Sequence, residues 1–207
     1  NAVSLTCAGK MASLDPATGL RPSDGLLISQ MPELKTNYDQ LSRVAHLMSL
    51  DMHVVDLMTP LIGGLGGGAE GTAIVTVASH LLGVLCYSAS YHFMGHMHLM
   101  RSNNTDRMGL WIEAVAGQAL ANHTPIVAVN DLYTVSGLGT EEIFWEIAAG
   151  AMIGTACGLN QHGIGATAGN EIDHTSGLEA RFQAEVAHAA LGLKRREVNE
   201  IVLECLP

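Results

Sequence analysis

The chain has 207 residues, 48% of them apolar and only 14% charged, with a formal net charge of −10. Soluble domains carry about 25% charged residues, so the deficit predicts a surface largely covered by other protein. The acidic balance argues against nucleic acid as a partner. The one basic cluster, Lys194-Arg195-Arg196, follows a predicted helix end and reads as a solvated cap.

The cysteines Cys7, Cys86, Cys157 and Cys205 are far apart, with no CxxC pair. They predict buried free thiols in a reducing, cytoplasmic setting. There is no secretion signal and no run of about 18 apolar residues free of polar interruption, so no membrane span is predicted. The sequon at Asn103 is then idle. The chain opens on Asn1 and closes on Pro207 after the apolar IVLECL. Both ends read as internal positions of a longer protein.

Short β-like runs alternate with longer helical ones. Val3–Cys7 and Leu26–Ser29 are the first strand candidates, separated by a loop from Gly9 to Gly25. Asn37–Leu50 reads as a helix with Leu41, Val44, Ala45 and Met48 on one face. Met52–Met58 is a strand, followed by a glycine run at 63–68. Glu70–Ser88 is a helix with Ile74, Val77, Ala78, Leu81 and Leu85 on its inner stripe. His96–Met100 is a strand, Thr105 caps a helix to about Ala121, and Pro125–Val129 is a strand. Thr140 caps a helix to about Cys157, and Gly163–Thr167 is a weaker strand. Ser176 and Glu179 form a capping box for a helix ending at Gly192, and Glu197–Leu206 is the last helix.

This alternation predicts parallel strands with crossover helices. No dinucleotide fingerprint supports an open doubly wound sheet. The expected fold is therefore α/β, the C-terminal portion of a TIM-like (β/α)8 barrel, as a single partial domain over 1–207. About six strands are visible where a full barrel has eight.

Barrel chemistry sits at the C-terminal ends of the strands. That rule selects Ser29 and Gln30, Asp56 to Met58, His98, Asn130, Asp131 and Tyr133, and Gly169 to Asp173. The glycine run could cradle a phosphate, but it lacks the Lys-Ser/Thr of a phosphate loop, so a tight turn beside something bulky is the plainer reading. His92, His96 and His98 form H-x3-H-x-H. His96 and His98 would share a strand face and, with Asp131, could hold the metal of a barrel hydrolase. The alternative is local hydrogen bonding in a packed interface. Met94, Met97 and Met100 suit irregular packing. Asn130-Asp131-x-Tyr133 offers an acid and a phenol for a proton or a cationic substrate, or else an ordinary turn.

Several stretches together resemble one family. They are SQMPELKTNYDQLSRVAH (Ser29 to His46), PLIGGLGGGAEGTAIVTVASHL (Pro60 to Leu81), SASYH (Ser88 to His92) and TSGLEARFQAEVAHAALGLKRREVN (Thr175 to Asn199). In this order they are similar to the C-terminal half of the monomethylamine:corrinoid protein methyltransferases of methanogenic archaea. The resemblance implies a βα barrel in a homohexamer and a pyrrolysine, encoded by an amber codon, placed just upstream of Asn1. It also implies methyl transfer to Co(I) of a corrinoid held by a partner protein, with no cofactor bound directly. The family's cleft has two glutamates, a glutamine and a tyrosine. These align with Leu27, Leu57, Asp131 and Tyr133. The resemblance thus implies that Asp131 orients or protonates the substrate adduct and Tyr133 donates a hydrogen bond. Leu27 and Leu57 would shape a less polar cleft for a methylated amine, with Asp56 and Asn130 beside it. The rival readings are the hydrolase using His96, His98 and Asp131, and a non-catalytic barrel fragment.

Overall fold

Strand and helix alternate as the periodicity predicts. The computed structural model describes residues 2–3, 6–17, 19–169, 171 and 175–206. In chain order the elements are β1 (Ala2–Val3), α1 (Cys7–Ala12), β2 (Gly25–Ser29), α2 (Tyr38–Ser49), β3 (His53–Met58), β4 (Leu61–Ile62), α3 (Ala69–Tyr87), β5 (Tyr91–Met94), β6 (Met97–His98), α4 (Arg107–His123), β7 (Ala128–Tyr133), α5 (Glu142–Ala156), β8 (Asn160–Ala166), α6 (Gly177–Ala189) and α7 (Arg195–Cys205).

Six strands form one sheet in the order β1-β2-β3-β5-β7-β8, and β4 and β6 form a small pair. Every pairing in both sheets is parallel. The order never reverses, as it would at the switch point of a doubly wound sheet. The fold is therefore α/β with a sequentially ordered parallel sheet.

Strand residues alternate between two faces. One face meets the helices: Leu26, Ile28 and Val54 pack with Val44 and Leu47 of α2 and Tyr87 of α3, while Leu132 and Ile164 pack with Ile143 and Ile147 of α5. Among the described residues no helix packs on the other face. There Val55, Phe93 and Val129 pack on one another with Leu27, Leu57 and Tyr91. We call it the interior face.

Several boundaries differ from the sequence reading. The fourth sheet strand is β5, because His96 to Met100 turns away into the small pair. Strand β7 begins at Ala128, three residues past Pro125, and runs through Tyr133. The α4 cap is Asp106, whose side chain accepts from the Gly109 N–H, and not Thr105. Glu141, not Thr140, precedes α5. Helix α1 occupies part of the predicted 9–25 loop, and the predicted strand Val3–Cys7 shrinks to Ala2–Val3, with Ser4 and Leu5 outside the described residues. The capping box of Ser176 and Glu179 is present. Lys194-Arg195-Arg196 opens α7 and does not close α6. Among the cysteines whose side chains are described, Cys157 is buried, Cys205 half-buried and Cys86 exposed.

The largest correction is α3. Three of its five predicted inner residues, Ile74, Leu81 and Leu85, are exposed, while Val77 packs against the core as expected. The inner face carries Thr72, Ala73, Thr76, Ser79, His80 and Gly83. The Thr72 and Thr76 hydroxyls donate to carbonyls four residues back, and His80 Nδ1 lies 2.8 Å from the Thr76 carbonyl. Polar side chains satisfied by their own helix can be buried at low cost. Helix α3 also has the length and apolarity of a membrane-crossing segment, against the sequence expectation, yet it packs on β3 and β5. In α2 the buried positions are Val44 and Leu47, while Ala45 and Met48 face outward.

Candidate active site on the interior face

The interior face turns polar at the far end of β7. Asp131 and Tyr133 both lie within the strand, buried, and are not the turn that their composition allowed. The Tyr133 hydroxyl donates to Asp131 Oδ2 at 2.9 Å. His162 of β8 brings Nδ1 to 3.3 Å from Asp131 Oδ1. Its ring packs on Phe93 of β5, centroids 4.0 Å apart. Two adjacent strands thus converge on one carboxylate, and the third packs its phenyl ring against the imidazole. Burial, and then the neighbouring Asp131 charge, push the Tyr133 phenol well above its ordinary value, so it remains a donor.

Two features hold the trio. Gly165 of β8 lies beside it, where a Cβ would stand 2.8 Å from Asp131 Oδ1 and 3.0 Å from the Tyr133 ring. The β7–β8 register shifts at Asn130/Asp131 and again at Leu132/Tyr133. On the other edge of this segment, buried Asn104 donates to the Asp131 carbonyl and accepts from the Tyr133 N–H, both at 2.8 Å. It satisfies the strand's backbone much as a neighbouring strand would.

Leu27 and Leu57 lie on this same face and form its apolar wall with Phe93. Asp56 and Asn130 do not line the cleft. The period-2 alternation sends both to the helix layer, where each is almost fully buried. Asn130 donates to Glu113 of α4 at 3.1 Å. Burial raises Glu113 to about 8. Asp56 accepts from Gln30. Burial lifts its carboxyl to about 7, while the Gln30 bond lowers it. His80 and His92 stack nearby with centroids 5.6 Å apart, and burial depresses them to about 3 and about 4. A Cβ at Gly83 would stand 2.3 Å from Asp56 Oδ2, so only glycine fits there.

The proposed metal set does not assemble. His96 Nε2 donates to the Gly109 carbonyl at 2.8 Å, and His98 pairs with Asp106 at 2.7 Å, while Asp131 is engaged by Tyr133 and His162. Among the described residues no three His, Cys, Asp or Glu side chains are grouped to hold an ion. The glycine loop is no phosphate cradle either. The Glu33 carboxylate already sits in it, accepting from the Leu61 N–H at 2.9 Å and from the Leu65 N–H. Of the predicted strand end at 169–173, Asn170, Ile172 and Asp173 lie outside the described residues. A separate cleft of about 550 Å³ opens between α4, α5 and the end of α7, and it shares no residue with the Asp131 trio.

His162, Asn104 and Gly165 escaped the sequence reading. A lone histidine between Gln161 and Gly163 carries no motif. Only its strand position, facing the same side as Asp131 across one ladder, marks it.

Comparison with known proteins gives one answer. The family model described as monomethylamine methyltransferase MtmB matches residues 1–206. The monomethylamine methyltransferase MtmB2 of Methanosarcina barkeri is 36% identical over 200 residues, covering 96% of this chain and 43% of the relative. MtmB of Methanosarcina mazei is 32% identical over 205 residues, covering 99% and 44%. The crystal structure of the Methanosarcina barkeri enzyme superposes with a TM-score of 0.89 at 33% identity, over 97% of this chain and 44% of that one. The hydroxylamine complex of MtmB gives 0.87 at 32% identity, with the same coverage. The chain spans less than half the length of the relatives it matches. It belongs to the monomethylamine methyltransferase MtmB family.

Proposed function

We propose that the full-length protein moves a methyl group from a methylated amine to the Co(I) of a corrinoid carried by a partner protein. The observation that carries this reading is family membership across residues 1–206. The buried trio on the interior face is consistent with it, because a carboxylate flanked by a phenol and an imidazole suits an ammonium substrate. In this reading the six sequentially ordered strands are part of a (β/α)8 barrel, and the interior face is its inside wall. Asp131 supplies the negative charge of the cleft, Tyr133 steadies Asp131, and Leu27 and Leu57 keep that side of the cleft apolar. The proposal includes a pyrrolysine in the full-length protein, a homo-oligomer and a cytoplasmic location. Covalent capture of the amine is chemically reasonable, because an amine leaves poorly until it is quaternised or held as an adduct.

The test is methylamine-dependent methylation of the corrinoid protein, followed by cobalt absorbance. Asp131→Ala in the full-length protein should slow the transfer by roughly 10²–10⁴-fold. Unchanged turnover in that variant would remove Asp131 from the reaction.

A further inference from the structure

We infer that His162, acting through Nε2, is the group that takes a proton from the substrate ammonium, with Asp131 as its orienting partner. The inference rests on the methyltransferase reading above and names a proton acceptor within the same cleft.

Asp131 is poorly placed to exchange protons itself. It is only 3% exposed, and each of its oxygens already accepts a bond, Oδ2 from the Tyr133 hydroxyl and Oδ1 from His162. A carboxylate oxygen accepts, so the His162 Nδ1 facing it donates the hydrogen. In the neutral ring the Nε2 lone pair is then free. That arrangement fixes the tautomer, and the Phe93 ring at 4.0 Å fixes the plane. The His162 side chain remains 34% exposed where Asp131 is 4%. The trio therefore reaches substrate and water through the imidazole. Among the described residues, the titratable groups linked to His162 are Asp131 and, through it, Tyr133 on β7, with Tyr91 on β5 beyond Phe93.

In the step, an N–H bond of the methylammonium breaks and its electron pair stays on nitrogen. The proton moves to Nε2. The products are a free amine with an available lone pair and an imidazolium paired with Asp131. The exposed edge of the ring then returns the proton to water.

His162→Asn and His162→Gln in the full-length protein test this. An asparagine amide can still donate to Asp131 from near the Nδ1 position but offers no base. His162→Asn should cut methylamine-dependent cobalt methylation by roughly 10²–10⁴-fold. It should also erase the acidic limb of the pH profile of kcat/KM. His162→Gln should show the same loss. Retention of the rate, or of the acidic limb, overturns the role. The ¹⁵N spectrum of the wild-type ring is an independent readout that needs no turnover. A neutral ring protonated at Nδ1 supports the dyad, and protonation at Nε2 overturns it. If the wild-type protein transfers no methyl group, the reading of the function fails, and the tautomer measurement still decides the dyad.

Discussion

Glycine 83 sits where helix α3 crosses the buried Asp56–His92 pair, and alanine there should be costly although alanine favours helices. The new Cβ would lie 2.3 Å from Asp56 Oδ2, 2.7 Å from His92 Cε1 and 2.8 Å from His92 Nδ1. Neither neighbour yields easily. Asp56 is fully buried and tied to Gln30, which also donates to the Ser79 carbonyl at 2.8 Å. His92 is wedged against His80. Overpacking of this kind costs about 1–3 kcal/mol, and three short contacts place it at the upper end. The helix-propensity gain of roughly 1 kcal/mol offsets part of it. The net expectation for Gly83→Ala is a loss of about 2 kcal/mol. That corresponds to a fall in Tm of about 4–8 °C for a domain of this size, and of about half that in the full-length protein, whose relatives are more than twice as long as this chain. Thermal melts of the full-length protein measure it, with Gly177→Ala as control. A Cβ at Gly177 meets nothing within 4 Å, so that variant should be neutral or slightly stabilised. A Gly83→Ala protein melting at or above the wild type would refute the tight crossing.

The buried acid makes a prediction of opposite sign. Its folded-state value, about 7, lies above the ordinary 3.8, so folding favours the protonated form. That contribution is complete below about pH 4 and is lost as the pH rises to about 7. Asp56→Asn mimics the neutral acid and should be more stable than wild type at pH 8, by a few kcal/mol at most, at about 1.4 kcal/mol per unit of separation. The advantage should vanish toward pH 4 in urea titrations, and an equal difference at both pH values would rule out the mechanism. His80 and His92, held neutral by burial, act the other way: their contribution is lost as the pH falls below about 6.5 toward 4. Glu33→Ala empties the glycine loop of its carboxylate, leaving the Leu61 and Leu65 N–H groups without it. The variant should lose about 1 kcal/mol, and sulfate, which stabilises folded proteins generally, should raise its Tm by more than it raises that of the wild type.

The architecture was legible because alternating short and long apolar runs leave few topologies. The boundaries that failed did so for local reasons. At β5 and β6, the run from Tyr91 to Met100 is one apolar stretch broken by Gly95, and nothing in its composition says which half joins the main sheet. In α3 an apolar residue is not always an inward one. Thr72, Thr76 and His80 reverse that by bonding to their own helix backbone. Asp131 and Tyr133, singled out by the sequence, lie together on the interior face, with Leu27 and Leu57 on the same side. Asp56 and Asn130, expected beside them, face the helix layer, since a neighbour in sequence along a strand is a neighbour through the sheet, on its other side. His162 was missed because its meaning comes entirely from the strand beside it.

The uninterrupted strand order also bears on how the protein is made. Each sheet strand pairs with the sheet strand synthesised just before it, with its connecting helix docking alongside. No late segment has to insert between early ones, so the sheet can lengthen at one edge as the chain leaves the ribosome. A cut in the link between α4 and β7 would leave β1 to β5 as a contiguous run on one side and β7 with β8 on the other. Within the described sheet the two pieces would meet at one seam, β5 against β7. A sheet with reversed order, cut at the same point, would have to rethread a strand through its middle.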